Sequence, residues 1–237
     1  MRRSCVVVAL AAALAATGCG GGGSGKRASR GSPAVPEVEL ASVRAPAWVE
    51  RLLRDDVRQA YTPDPCPKPC PPFLRRSRTH VLRLRHATAL PPGRHPHAVA
   101  RARLRDGMTV TFYAYRSEAG HLCDYVVVTA GTRPVTAGLS PGLPCVPGAP
   151  CGAVCLMQLH CCGTNVVVGT VTMRADRLAT RYDEGPEVRY RLAQPAFPGR
   201  PRRRLVVLDV RPHDVADPIR LLAGGKTIAS GTVAGIG

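Results

Sequence analysis

The sequence has few aromatic residues and few acids. Phenylalanine, tyrosine and tryptophan make up 4% of the 237 residues, which is too few for a platform that stacks nucleic-acid bases. Aspartate and glutamate number 16 against 33 lysines and arginines, so paired carboxylates for acid–base catalysis are scarce. We therefore expect no nucleic-acid partner and no carboxylate-based enzyme.

Motifs of known enzymes are also missing. The sequence contains no HExxH, GxSxG or SxxK motif and no CxxC motif of the thioredoxin type. No apolar run reaches the roughly 20 residues of a membrane-spanning helix. His213 and Asp214, beside Arg211, are only a weak candidate site. We name no catalytic residue and expect no cofactor.

The first residues have the pattern of an export signal. Two arginines precede an apolar segment at 6–16, which has the length of a signal-peptide core. The segment ends in ATGC at 16–19, which resembles the lipobox of bacterial lipoproteins. The resemblance implies that residues 1–18 are removed and that a diacylglycerol is attached to the sulfur of Cys19. We therefore predict an extracytoplasmic protein that is anchored to the cell membrane by lipid.

Residues 19–45 are predicted to form a flexible lipid tether. They contain GGGGSG followed by scattered basic residues, serines and prolines, and they have little apolar surface to bury. A chain of about 25 such residues has a root-mean-square reach on the order of 25–30 Å. The folded part is therefore expected to stay near the membrane surface.

The sequence contains ten cysteines. Cys5 leaves with the signal and Cys19 carries the lipid, so an even number remains in a compartment that permits disulfides. The disulfide candidates are Cys66, Cys70, Cys123, Cys145, Cys151, Cys155, Cys161 and Cys162. We favour disulfides because thiolates outside the cytoplasm are readily oxidised.

The alternative for part of this cysteine set is a soft-metal site. Residues 151–162 place four thiols and one imidazole within 12 residues, and these groups suit zinc or Cu(I). The ligands would be Cys151, Cys155, His160, Cys161 and Cys162. The spacing does not match a paired zinc module, so the metal site is the second interpretation.

The hydrophobic pattern predicts a mainly β fold with one N-terminal amphipathic helix. Apolar residues at helical spacing predict the helix over 47–60, with Trp48 as its anchor on the sheet. Alternating or apolar segments separated by turn residues predict strands at 79–87, 98–104, 108–116, 122–129, 165–173, 177–182, 187–192, 205–210, 219–223 and 227–233. Asp209 is expected to face solvent by alternation. The fold is either one antiparallel sandwich-like domain or two small β units, at 46–137 and 164–237, joined by a Cys/Pro/Gly-rich connection at 138–163.

The register of one hairpin follows from its buried face. A three-residue loop at 105–107 pairs Ala102 with Val110 and Ala100 with Phe112, which makes one face wholly apolar. This register requires Gly107 in a left-handed bulge. A similar pattern at 182–190 pairs Leu178 with Tyr190 and Thr180 with Val188. The two hairpins are either a weak internal repeat or independent uses of the same turn chemistry.

The basic residues are mostly arginine, and the formal net charge is +17. A GC-rich coding bias explains much of this skew. The functional alternative is attraction to anionic lipid heads or an anionic envelope polymer, and the densest basic runs lie at 75–78 and 200–204. We predict a non-enzymatic envelope lipoprotein with a binding or structural role and an unknown protein partner. The alternatives are a metal-binding envelope protein that uses 151–162, and an envelope hydrolase whose site the sequence does not reveal.

Overall fold

The computed structural model describes residues 35–60, 85–139, 152–161, 164–182, 185–210 and 216–236. These residues belong to one unit of the chain and form the helix α1 (Ala47–Ala60) and a series of strands. The strands are β1 (Val38–Arg44), β2 (His97–Arg103), β3 (Thr109–Arg116), β4 (Leu122–Ala130), β5 (Arg133–Leu139), β6 (Val154–Cys161), β7 (Thr164–Thr172), β8 (Arg177–Tyr182), β9 (Val188–Arg191), β10 (Ala196–Phe197), β11 (Arg200–Val210), β12 (Ala216–Ala223), β13 (Lys226–Gly231) and β14 (Ala234–Ile236).

The strands form three sheets that stack in layers. The N-terminal sheet has the order β1-β2-β3-β4-β5, the central sheet β10-β11-β7-β6-β14, and the outer sheet β13-β12-β8-β9. One core joins the N-terminal and central sheets, a second joins the central and outer sheets, and a third joins α1 to the N-terminal sheet. The prediction of a mainly β, antiparallel sandwich-like fold with one N-terminal helix is confirmed.

The helix covers the far face of the N-terminal sheet. Val49, Leu53 and Val57 are spaced four residues apart, lie on one side of α1, and are buried against Tyr113 and Tyr125. Glu50 in the first turn and Arg58 in the last turn complement the helix dipole. The predicted helix bounds are confirmed, but the deepest anchors are these three aliphatic residues.

Trp48, the predicted anchor, is only partly buried. It packs at the margin of the core between α1 and the N-terminal sheet. Its neighbour Val49 points directly at the sheet instead, and none of its surface is exposed. The prediction was wrong in detail because two adjacent apolar residues cannot both lie at the centre of one helix face.

The central sheet is buried on both faces. Along β7, Val166 and Val168 point into the core with the N-terminal sheet, whereas Val167 and Val171 point into the core with the outer sheet. The residues of 205–208 divide in the same way on β11. Strands covered on both sides need apolar residues at every position, which explains these unbroken apolar runs.

Gly169 lies where β7 passes closest to β6. Its φ is +140°, and a Cβ built there would lie 2.1 Å from the carbonyl oxygen of Cys155. Any side chain at this position would collide with backbone, which cannot rotate away. Only glycine fits at this point of the central sheet.

The predicted register of the first hairpin is confirmed. Ala102 pairs with Val110 and Ala100 pairs with Phe112, and all four side chains are buried between the N-terminal and central sheets. Gly107 has a φ of 85°, as the left-handed position of the loop requires. The burial of one face therefore selected the register.

The second hairpin has the predicted register in a different setting. Leu178 pairs with Tyr190 and Thr180 pairs with Val188, as expected. However, β9 lies at the edge of its sheet, whereas β3 lies in the middle of another. Gly185 does not have the left-handed φ of Gly107. The structure therefore favours two independent hairpins over an internal repeat.

Three segments differ from their predicted structure. Residues at the end of the predicted tether form β1, which pairs with β2 and buries Val38. The predicted connection at 138–163 contains β6, a strand inside the central sheet. Residues 85–88 form a helical turn rather than the end of a strand. In each case partner strands or tertiary packing, which local composition does not report, decide the structure.

Candidate anion-binding face

One face of the outer sheet carries a group of arginines. Side chains alternate along a strand, and Leu178, Tyr190 and Leu221 point inward to the core with the central sheet. The alternate positions on β8, β9 and β12 therefore point away from the central sheet. Five of them are arginines: Arg177, Arg181, Arg189, Arg191 and Arg220. We call this set the arginine face.

Strand register brings these arginines close together. Arg177 lies directly opposite Arg191 in the β8–β9 pair. Arg189 and Arg220 lie on either side of Ala179, one on each neighbouring strand. Like charges placed directly opposite each other destabilise a sheet. An anionic partner on this face would therefore offset a cost that the free protein carries.

A carboxylate links two of the arginines. Glu187 Oε1 accepts a hydrogen bond from Arg189 Nε at 2.9 Å, and its other oxygen contacts Arg220 Nη2. A hollow of about 250 Å³ lies beside this bridge, and Arg181 and Pro218 contribute to its lining. Glu187 thus fixes two guanidinium groups in position, and among the side chains that the structure describes on this face the positive charges outnumber the negative ones.

The predicted basic run at 200–204 is largely a structural feature. Arg200 and Arg203 are half-buried, and Arg200 Nη2 donates to the carbonyl oxygen of Leu122. Arg203 Nη1 donates to the carbonyl oxygen of Gly152 at 2.7 Å, and its Nη2 contacts Cys155 Sγ. These contacts tie strands together, so the densest basic run of the described residues is not a free binding surface.

Burial and a nearby acid act on these two arginines in opposite directions. Burial lowers the pKa of Arg200 and of Arg203 from the usual guanidinium value, and Arg200 lowers that of Arg203 further. The charge of Asp124, which is 2% exposed, opposes the lowering in both cases. Asp124 therefore helps to hold two cations inside the sandwich.

A half-buried acid of α1, Asp56, faces the N-terminal sheet. Asp56 Oδ2 accepts a hydrogen bond of 2.5 Å from the hydroxyl of Tyr125. Burial raises the pKa of Asp56, the hydrogen bond from Tyr125 lowers it, and the charge of Asp55 raises it. Burial, followed by the bond to Asp56, also raises the pKa of the Tyr125 hydroxyl above its usual range. This pair secures α1 to the N-terminal sheet.

The cysteines are only partly described. Cys123 and Cys155 are buried, in different cores. Cys161 ends β6, and the described ranges do not include Cys66, Cys70, Cys145, Cys151 or Cys162. The predicted disulfides therefore stay predictions.

The geometry of β6 restricts the predicted metal site. Cys155 and His160 lie at positions of opposite parity on the strand, so they face opposite sides of the central sheet. One ion cannot bind both while the strand is formed. In the part of the chain that the structure describes, no group of three or more metal-ligating side chains comes together. A site formed with Cys151 or Cys162 stays a prediction.

Asp209 does not simply face solvent as expected. Its Oδ2 accepts a hydrogen bond of 2.8 Å from the backbone nitrogen of Arg105, so it fixes the β2–β3 loop against β11. Alternation places Asp209 on the side of β11 that faces the N-terminal sheet, and the prediction was wrong because this strand is covered on both faces. The weak candidates His213 and Asp214 fall in a range that the structure leaves undescribed.

Sequence reasoning missed the arginine face because its members are dispersed. They occur as isolated residues, four apart in RLATR and two apart in VRYR, rather than as a basic run. The signal was present in the alternation, because the arginines within each of these two predicted strands are separated by an even number of positions and so share a face. Counting the charges on each face of a predicted strand, instead of looking for runs of basic residues, would have found these arginines.

The chain has no counterpart among known proteins in three comparisons. No family model, no curated protein and no solved structure matches it. Among the described residues, the helix is too short and too polar to cross a bilayer. The chemistry of the site must therefore carry the functional argument.

Proposed function

We propose that this chain is a non-enzymatic, lipid-anchored envelope protein whose arginine face binds the anionic headgroups of its own membrane. The observation that carries the proposal is the set of five arginines on one sheet face, with Arg177 and Arg191 directly opposed. A guanidinium group can donate two parallel hydrogen bonds to a phosphate, which makes arginine suited to phospholipid headgroups.

The expected electrostatic gain is large enough to matter. A basic residue at an anionic membrane surface contributes on the order of 1 kcal/mol. The five arginines together would contribute up to about 5 kcal/mol, less the part that Glu187 already neutralises. The diacylglycerol predicted at Cys19 has two acyl chains, which already give stable attachment, so the basic face would add contact between the folded part and the bilayer surface.

The proposal is tested on the lipidated full chain, reconstituted into vesicles. Vesicles of phosphatidylcholine alone are compared with vesicles that also contain phosphatidylglycerol. Phenylglyoxal modifies accessible arginines, and peptide mass spectrometry reports each site. We expect several-fold slower modification of Arg177 and Arg191 in anionic vesicles, and loss of this protection at high salt. Arg101 and Arg103, which are exposed on the N-terminal sheet, are the matched controls.

Each other outcome contradicts a stated part of the proposal. Equal reactivity of Arg177 and Arg191 in the two vesicle types would exclude headgroup binding by the face. Protection in neutral vesicles by an added anionic envelope polymer, without protection by phosphatidylglycerol, would assign the face to that polymer. If the intact mass shows no lipid on Cys19, the lipid-anchored part of the proposal is wrong.

A further inference from the structure

A groove of about 840 Å³ lies at one end of the N-terminal sheet. Two tight turns form its sides. In one, Arg94 N donates to the carbonyl oxygen of Pro91, and in the other, Gly120 N donates to that of Ser117 at 2.8 Å. A hydrogen bond of 2.8 Å from Glu118 N to the carbonyl oxygen of Ala89 joins the segments that carry the turns. The groove is therefore preformed, and its volume suits a small ligand.

The polar lining of the groove contains two arginines and two histidines. Arg94 and Arg116 contribute guanidinium groups, and His95 and His97 contribute imidazoles. No aspartate or glutamate is among the described residues that line it. Arg116 Nη1 donates to the carbonyl oxygen of Gly120 at 3.0 Å, which aims this side chain along the turn and leaves its other donors for a ligand.

His95 is held in one orientation from behind the groove. Its Nδ1 lies 2.5 Å from Glu50 Oε1 on α1, and its Nε2 lies 2.6 Å from Arg44 Nη2 on β1. Arginine has no acceptor, so Nε2 must accept and Nδ1 must donate to Glu50. The imidazole is thus a fixed wall of the groove, oriented by contacts to α1 and β1.

Apolar atoms form the rest of the lining. Ala114, Tyr115 and Leu122 line the groove, and the Tyr115 hydroxyl donates to the carbonyl oxygen of Thr88. Ala114 and Leu122 also pack against the core between the N-terminal and central sheets. The groove therefore combines a rigid apolar floor with convergent cations.

We propose that this groove is a second binding site, and that it takes a small organic anion with an apolar portion. The anionic group binds Arg94 and Arg116, and the apolar portion lies on Leu122 and Ala114. A hydrophobic pocket with a few well-placed polar groups is the usual form of a small-molecule site. The groove lies on the N-terminal sheet, separated from the arginine face by the central sheet. The two sites are therefore independent.

The test uses benzenesulfonate, an aromatic anion whose charge is constant near neutral pH. Its binding to the full-length chain in non-ionic detergent is measured by saturation-transfer NMR titration. We expect saturable binding that Arg94→Gln and Arg116→Gln each weaken about tenfold. Arg103→Gln, on the same sheet but outside the groove, and Arg191→Gln, on the arginine face, should change the dissociation constant by less than about twofold.

A neutral analogue separates the contribution of the anionic group to binding from that of the apolar contacts. Benzyl alcohol should bind at least about tenfold more weakly than benzenesulfonate. Equal binding of the two compounds, or unchanged benzenesulfonate binding in both groove variants, would overturn the proposal. Absence of saturable binding at millimolar concentration would also overturn it. Urea unfolding of each variant shows whether a loss of binding reflects the groove or a loss of fold.

Discussion

The two outermost sheet faces of the molecule contrast sharply. Helix α1 covers part of the far face of the N-terminal sheet, and there Tyr113, Tyr125 and Val127 are buried. The far face of the outer sheet has no such helix among the described residues, and it carries arginines at the corresponding alternate positions. A covered face must be apolar for stability, whereas an uncovered face is available for binding.

Truncation of the helix core should give the largest effect in this comparison. Leu53 is fully buried between α1 and the N-terminal sheet. Leu53→Ala should lower the free energy of unfolding by about 2–5 kcal/mol, because it removes buried methyl groups and leaves a cavity. Urea denaturation measures the change. Leu40→Ala is the matched control, since Leu40 is 59% exposed and its truncation should cost less than about 0.5 kcal/mol.

The Leu40→Ala control also tests whether the edge of the N-terminal sheet is exposed in solution. A loss at Leu40 as large as that at Leu53 would show that the edge of the N-terminal sheet is covered in solution. The helix would then not be its only cover.

Asp56, the half-buried acid of α1, should make a contribution to the free energy of unfolding that depends on pH. The raised pKa of Asp56 means that the folded state binds a proton more tightly than the unfolded state, whose carboxyl has the ordinary value of 3.8. Its contribution to stability is present at low pH and is lost as the pH rises from about 4 through the raised pKa. Asp56→Asn should remove this fall while keeping an acceptor for Tyr125.

The measurement is the free energy of unfolding from pH 3 to pH 8. Asp55→Asn, a neighbouring change on the exposed side of α1, is the control and should keep most of the fall, because the charge of Asp55 is the smallest of the causes that shift the pKa of Asp56. A variant at Asp56 with the same pH dependence as the natural chain would show that the carboxyl is not desolvated by the helix.

The smallest expected effect lies on the uncovered face and has the opposite sign. Arg191→Gln removes the repulsion between Arg191 and Arg177 and should stabilise the fold by about 0.2–1 kcal/mol at low salt. Arg101→Gln on the N-terminal sheet removes an arginine that lies opposite Glu39, so it should destabilise by a similar amount. Thermal unfolding at low and high salt measures both. If both variants changed stability in the same direction, this would contradict the view that repulsion between arginines on the arginine face destabilises the free protein.

Short-range patterns predicted some parts of the structure well. The helix bounds at 47–60 followed from the spacing of apolar residues, and the register of the 105–107 hairpin followed from its single apolar face. Both elements have one buried side and one exposed side. Their sequences therefore carry a periodic signal that identifies the structure.

Other parts depended on contacts distant in sequence. Strand β6 was read as a loop because cysteines and glycines surround it, although its interior, with Leu156, Met157 and Leu159, is buried in two different cores. Strand β1 was read as tether because its only neighbour in the sheet begins at His97. The groove assembles from two turns and from residues of β2, β3 and β4, so no single segment predicts it.

The order in which the layers form follows from the position of the central sheet. Its strand β11, which pairs with β7, is complete only at Val210, whereas the N-terminal sheet is complete at Leu139. At ordinary synthesis rates the growing chain needs roughly 4–14 s to cover that interval. During this time the central sheet that covers Phe112 and Val126 is incomplete. Nascent chains of this protein are therefore expected to need a chaperone that holds them until the C-terminal third has been made.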